Sequence, residues 1–286
     1  MIDLAAWVEA EADPARRTFR QAIQLVLRAI AQAPDLAPLM IMKGGVLLAI
    51  RYGSSRFTRD IDFSTSRRVQ EVDIDGLLSA IKDALAPVSA ENEYGVALRL
   101  QSHELKPPAS PSVNFPTLKM RIGYARRLEP RQLARLESQG APTTVQVDYS
   151  FNEWASEVET QKMDGGELSM YPYHDLIAEK LRSILQQPIR QRERYQDVYD
   201  LWLLLQDSDQ ISADDRAQIL AKLRASAVDR EVPIHRNAMR EKAVLEMSRR
   251  QYEAQLPGLV TGDVPPFDST YSSVREFYER LPWDLV

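Results

Sequence analysis

The sequence contains no cysteine, which excludes disulfides, thiolate metal sites and a cysteine nucleophile. Histidine is scarce. His103, His174 and His235 stand far apart, fit no metal-ligand spacing and are read as surface or packing residues. No apolar run approaches the roughly 18 residues that a membrane span needs. The N-terminus, Met1-Ile2-Asp3-Leu4, lacks the basic segment that opens a secretory signal. These absences lead to the expectation of a soluble, cytoplasmic protein with no membrane partner. A net charge of −5 gives no general attraction to nucleic acid, so any polyanion contact must come from local patches. The 286 residues, 44% hydrophobic and 27% charged, suffice for one large domain or two modest ones.

What is present centres on residues 43 to 63. Gly44 and Gly45 follow a short apolar run, 39 to 42, that reads as a buried strand, and residues 46 to 52 read as a helix after the glycine turn. A glycine pair allows close approach of the backbone, and a helix N-terminus offers free N–H groups to phosphate. Asp60 and Asp62 then alternate with Ile61 and Phe63. On a strand both carboxylates project from one face and both apolar side chains from the other. Adjacent carboxylates repel unless a cation lies between them. Mg²⁺, with Mn²⁺ as the alternative, suits a site of one or two carboxylates, water and phosphate.

Other elements follow from periodicity. Residues 16 to 33 carry Phe19, Ile23, Val26, Leu27 and Ile30 at helical spacing, and residues 71 to 86 do the same with Leu77, Leu78, Ile81 and Leu85. Residues 96 to 101 alternate as a strand, 104 to 116 form a proline-rich loop, and 118 to 124 alternate again, with Lys119 and Arg121 on one face. Residues 143 to 151 form a period-2 strand whose one acid on the polar face is Asp148. It has the type and placement of a third carboxylate, completing a metal site or taking a proton from an acceptor hydroxyl. The alternative is an ordinary exposed strand acid. Residues 119 to 135 hold Lys119, Arg121, Arg126, Arg127, Arg131 and Arg135 against Glu129 alone. They are either a solvated face or a surface for triphosphate or RNA backbone.

Asp164-Gly165-Gly166 reads as a turn, and the domain boundary is placed there, giving domains 1–165 and 166–286. From this point the chain is expected to be helical. Residues 175 to 185 put Lys180 inside an apolar arc, where it must snorkel or meet an anion. Residues 195 to 205 form a helix apolar nearly all round, with Asp197 and Asp200 one turn apart. Buried carboxylates need partners, and Lys180 and the arginines of the loop before this helix are the nearest supply. From Arg216 to Arg250 nine basic residues face four acidic ones, a local charge of +5. This is read as amphipathic helices or as a surface for a polyanionic acceptor. A last helix is expected over 271 to 281.

Gly44-Gly45, Arg56, Thr58 and Asp60-Ile61-Asp62 resemble the motif of the AbiEii/AbiGii group of nucleotidyltransferase-fold toxins. Glu179-Lys180-Leu181 followed by Asp197, Tyr199, Asp200 and Leu201 resembles the group's second motif. Members usually carry arginine directly before the first of these aspartates. This chain has Gln196 there and Arg194 two positions earlier, which leaves open which arginine serves.

The resemblance implies an α+β fold, with a nucleotidyltransferase-like mixed sheet flanked by helices and a mostly helical C-terminal domain. It implies transfer of a nucleoside monophosphate from an NTP, GTP or a pyrimidine NTP, to an RNA acceptor such as a tRNA 3′ end. It further implies a toxin of a toxin–antitoxin or phage-defence system, with a separately encoded antitoxin. Asp60, Asp62 and Asp148 would hold metal, and Lys180 would neutralise triphosphate charge. Asp197 would orient Lys180 or contact the nucleotide and Asp200 would brace the helix, or the reverse. Gly44, Gly45, Arg56, Thr58, Lys119 and Asp200 are the expected nucleotide-binding set. Two other readings use the same residues: a small-molecule nucleotidyltransferase, and a non-catalytic nucleotide sensor or scaffold.

Overall fold

The computed structural model describes residues 2–108, 110, 113–163, 165–207 and 210–284. The chain forms two compact units. The first comprises 1–51 and 58–171; the second takes 52–57 and 172–286.

The first unit is a seven-stranded mixed sheet with helices on it. In chain order its elements are α1 (Leu4–Glu9), α2 (Pro14–Ala31), β1 (Ile41–Lys43), α3 (Gly44–Tyr52), β2 (Asp60–Ser64), α4 (Ile74–Ala90), β3 (Val96–Lys106), β4 (Thr117–Arg126), α5 (Pro130–Glu137), β5 (Thr144–Ser150), β6 (Glu159–Met163) and β7 (Gly166–Met170). The strand order is β3-β4-β5-β2-β1-β7-β6. β2 runs parallel to β5 and β1 to β7, and the other neighbours are antiparallel.

Local chemistry sets these boundaries. Asp13 caps α2 by accepting the Arg16 N–H at 2.7 Å, with Pro14 in the first turn, where its missing N–H costs nothing. Asp73 caps α4 through the Gly76 N–H at 3.1 Å. Val26 and Ile30 of α2 and Ile81 and Leu85 of α4 close over Met120, Ile122 and Val147 of the sheet. Burying each such side chain contributes about 1.5–3 kcal/mol. The polar face of the sheet is thereby the opposite one. There α5 covers the β3–β4 end through Ala97, Ala125 and Leu136.

The structure differs from the sequence reading in several elements. Residues 166–170, expected to begin the helical part, form strand β7 instead, paired in a hairpin with β6, with Met163 opposite Gly166. Asp164 of the expected turn lies outside the described residues. β3 continues to Lys106 into the expected loop, whose Pro111 also lies outside them. α4 runs three residues later at its start and four at its end than 71–86, with Pro87 accommodated in its last turn. α1 and α5, of six and eight residues, are too short to give a periodic signal.

The second unit is helical: α6 (Tyr173–Leu185), α7 (Gln187–Arg190), α8 (Tyr195–Leu204), α9 (Ala213–Asp229), α10 (Lys242–Arg249), α11 (Tyr252–Gln255) and α12 (Phe267–Glu279). α6 packs on α8 and α9, and α8 on α10 and α12. Residues 55–57 lie against residues 259–261, with Arg56 and Val260 forming an antiparallel bridge. Phe57 N–H donates to the Leu259 carbonyl at 2.6 Å, and Thr261 N–H to that of Ser55 at 3.2 Å. No helix among the described residues is long and apolar enough to cross a membrane.

Candidate active site

Strand pairing assembles the acids. In β2, Ile61 and Phe63 are fully buried, so Asp60 and Asp62 turn to the polar face. β5 does the same with Val147 and Tyr149 inward and Asp148 outward. The parallel register sets Asp62 beside Asp148, and the antiparallel β4 register sets Lys119 on the other side of Asp148. Oxygens of Asp60, Asp62 and Asp148 all lie within 4.8 Å of one another.

Neighbours fix two of the carboxylates, those of Asp60 and Asp148. Thr58 Oγ1 donates to Asp60 Oδ1 at 2.9 Å. Lys119 Nζ and Gln146 Nε2 donate to the two oxygens of Asp148, each at 2.8 Å. Three carboxylates this close on a half-buried surface repel one another, which favours a cation between them. An all-oxygen donor set selects a hard divalent ion and disfavours soft metals. The residues present thus fit a divalent metal.

Gly44 has φ +74°, a conformation that other residues rarely adopt, and a Cβ built on it would fall on the Asp62 carboxylate. The close approach expected of the glycine pair is therefore made, and what the backbone approaches is Asp62. Gly45 is buried in the first turn of α3. Lys43 stands opposite Asp62 in the β1–β2 register, and its ammonium hydrogen-bonds Glu153. Neither Glu153 nor Gln146 was singled out from the sequence. Gln146 carries a readable signal, because it lies two residues from Asp148 on the same strand face.

The second unit gathers Arg56, Lys180, Asp197 and Asp200. Arg56 grips Asp200 with two parallel bonds, Nε–Oδ1 at 2.8 Å and Nη2–Oδ2 at 2.7 Å. Lys180 Nζ donates to Asp200 Oδ2 at 2.7 Å and to Asp197 Oδ1 at 2.9 Å. Arg194 Nε is 4.0 Å from Asp197 Oδ2, and Gln196 Oε1 accepts a long bond from Arg56 at 3.4 Å. Burial alone would push the Asp200 carboxyl up; Arg56 and Lys180 outweigh it and hold the group down at about 2. Burial would likewise push the Lys180 ammonium down, but Asp197 and Asp200 outweigh it and raise it.

The predicted residues therefore fall into two groups. Gly44, Thr58, Asp60, Asp62, Lys119 and Asp148 meet in the first unit. Arg56, Lys180, Asp197 and Asp200 meet in the second. Arg56, two positions from Thr58, belongs with Asp200 and gives its guanidinium to that carboxylate.

A glycine turn into a helix, an Asp-x-Asp strand and a third carboxylate on the adjacent strand make up the site of a nucleotidyltransferase, where metal-bound carboxylates receive a triphosphate. The family described as nucleotidyl transferase AbiEii toxin, type IV TA system, matches residues 25–280. The chain belongs to this family of nucleotidyltransferase toxins of type IV toxin–antitoxin systems, as the two sequence motifs implied. Membership implies a nucleotide substrate and an accompanying antitoxin. Among solved structures, it resembles MenT4, a nucleotidyltransferase toxin of Mycobacterium tuberculosis H37Rv. The identity is 16%, with 98% of this chain and 90% of that one covered, at a TM-score of 0.60. It also resembles JHP933 of Helicobacter pylori at 15% identity, 96% and 95% coverage and a TM-score of 0.53. At these identities the likeness is one of fold. A search of curated protein sequences gives no match.

Proposed function

We propose that this toxin transfers a nucleoside monophosphate from GTP or a pyrimidine NTP to RNA, with Mg²⁺ at Asp60, Asp62 and Asp148 and Mn²⁺ as a substitute. The observation that carries this reading is the convergence of the three carboxylates to within 4.8 Å on neighbouring strands. When bound, the metal supplies positive charge against the triphosphate and stabilises charge developing in the in-line displacement.

The chain's own groups do the rest. Thr58 fixes the rotamer of Asp60, and Lys119 and Gln146 fix Asp148, so the oxygens are oriented before substrate arrives. Gly44 leaves Asp62 its space, and the first turn of α3, including Gly45, offers N–H groups to phosphate oxygens. Lys119, 37% exposed, keeps protons free for the same oxygens. The acceptor hydroxyl oxygen bonds to the α-phosphorus as the bond to the β-phosphate oxygen breaks. Pyrophosphate leaves, and the hydroxyl proton passes to a carboxylate of the triad or to water.

In the second unit, Asp200 has no exposed surface while Asp197 retains 14%. This supports Asp200 with Arg56 as the brace, and Lys180 with Asp197 as the pair that meets the nucleotide.

The test is incubation with Mg²⁺, total cellular RNA and each α-labelled NTP in turn, with Asp62→Ala as control. Label entering RNA from one NTP, and absent in the variant, is the expected result and names the donor. No labelled RNA with any NTP overturns the acceptor assignment. A rise in melting temperature with Mg²⁺ and NTP, but no transfer to any acceptor, would make the protein a sensor.

A further inference from the structure

Two basic stretches stand out in the sequence, and the structure treats them differently. In the run from Arg216 to Arg250, acids from outside the run answer the charge. Lys222 pairs with Asp175, Arg236 with Asp284, Arg240 with Glu279, Arg249 with Asp268 and Arg250 with Glu193. Five outside acids answer a run of +5, Glu279 being shared with Arg275. Arg216 and Arg224 lie over the rings of Phe277 and Trp283.

In the run from 119 to 135 only Lys119 and Arg126 are taken, by Asp148 and by the Thr18 hydroxyl. Arg121, Arg127, Arg131 and Arg135 are exposed and carry no ion pair among the described residues, and Arg99 is in the same state. Arg121 stands opposite Gln146, which stands opposite Asp60. It therefore lies two strand spacings, about 10 Å, from the triad's first carboxylate on the same face. Arg99 continues that face on β3, opposite Gly123. Arg99 and Arg127 then line, with Lys82, a groove of about 570 Å³ between α4, α5 and β3, whose one acid is Glu137 and whose floor includes Leu98 and Leu133.

We propose that the acceptor RNA lies on the first unit, its phosphates crossing Arg121, Arg99 and Arg127, with the groove receiving an unstacked base. The basic helices of the second unit do not hold it. This inference rests on RNA being the acceptor. An acceptor whose terminal hydroxyl meets the triad has its next phosphates within reach of Arg121. Arginine suits phosphate, and an apolar floor suits the face of a base.

The experiment compares three variants of the full chain: Arg121→Gln, Arg99→Gln/Arg127→Gln, and Arg240→Gln/Arg249→Gln. Fluorescence anisotropy with labelled tRNA across a salt series gives the slope of log affinity against log salt. Transfer assays give KM for RNA, and melting with Mg²⁺ and NTP reports the nucleotide site. For single-stranded contacts each lost phosphate partner flattens the slope by about 0.7. Arg99→Gln/Arg127→Gln is expected to flatten it by about 1.4 and raise KM for RNA at least ~10-fold, with the nucleotide-induced melting shift intact. Arg121→Gln is expected to flatten it by about 0.7. Arg240→Gln/Arg249→Gln is expected to bind as wild type. Wild-type slopes and KM in the first-unit variants overturn the inference, as they would if these arginines held an acidic protein instead. So does loss of RNA binding only in Arg240→Gln/Arg249→Gln. If wild type transfers nothing to RNA while Mg²⁺ and NTP still shift its melting, the acceptor assignment has failed and the inference with it.

Discussion

Asp200 carries a charge with none of its side chain exposed, and that is stable only because Arg56 and Lys180 bracket it. Removing one partner of such a pair costs about 3–5 kcal/mol, because an uncompensated charge or donor stays behind. Asp200→Asn and Arg56→Met are each expected to lower unfolding stability in urea by that amount. The pH dependence has a definite sign. The Asp200 carboxyl is held at about 2 in the folded protein, below its unfolded value. Its contribution is therefore complete above about pH 4 and lost as pH falls toward 2. The Lys180 ammonium is raised, so its contribution is complete below about pH 10 and lost as pH rises through its folded value. Urea unfolding across pH should show a shallower acid limb in Asp200→Asn than in wild type. Sequence disclosed half of this cluster. Lysine inside an apolar arc demanded an anion, and two aspartates one turn apart demanded cations. That Arg56 would serve could not be read, since it lies 144 residues from Asp200, farther than any periodicity extends.

Gly44→Ala tests the junction of β1 and α3. The added methyl falls on Asp62, so the expected result is loss of transfer and of the Mg²⁺–NTP melting shift, with the fold retained by circular dichroism. Met120 makes the opposite case. It is fully buried on the helix-covered face of β4, while Lys119 beside it faces the triad. Met120→Ala should cost about 2–5 kcal/mol in urea unfolding and leave kcat of the folded enzyme near wild type. β2 and β5 were legible because one face of each is core and the other polar, so period-2 alternation is complete. That same alternation disclosed Asp60, Asp62 and Asp148. β6 and β7 were not legible. β6, at the sheet edge, reads Glu-Thr-Gln-Lys-Met and buries only Met163, so little separates it from loop. The stronger signal was Asp164-Gly165, a pair typical of two-residue hairpin turns.

At the level of the whole chain, the backbone passes between units three times, because the second unit takes 52–57 from within the first. A fragment of residues 172–286 would contain Asp200 and Lys180 without Arg56, and would lack the segment that hydrogen-bonds to residues 259–261. Its urea unfolding is expected to be broad or absent, where the full chain unfolds cooperatively. The six residues also impose an order on synthesis. A ribosome adding about 5–20 residues per second reaches Asp200 some 7 to 30 seconds after Arg56. Until then the nascent chain carries the guanidinium with its carboxylate still unmade. A polypeptide released early, after residue 171, would hold the three clustered aspartates of the sheet and never the lysine cluster.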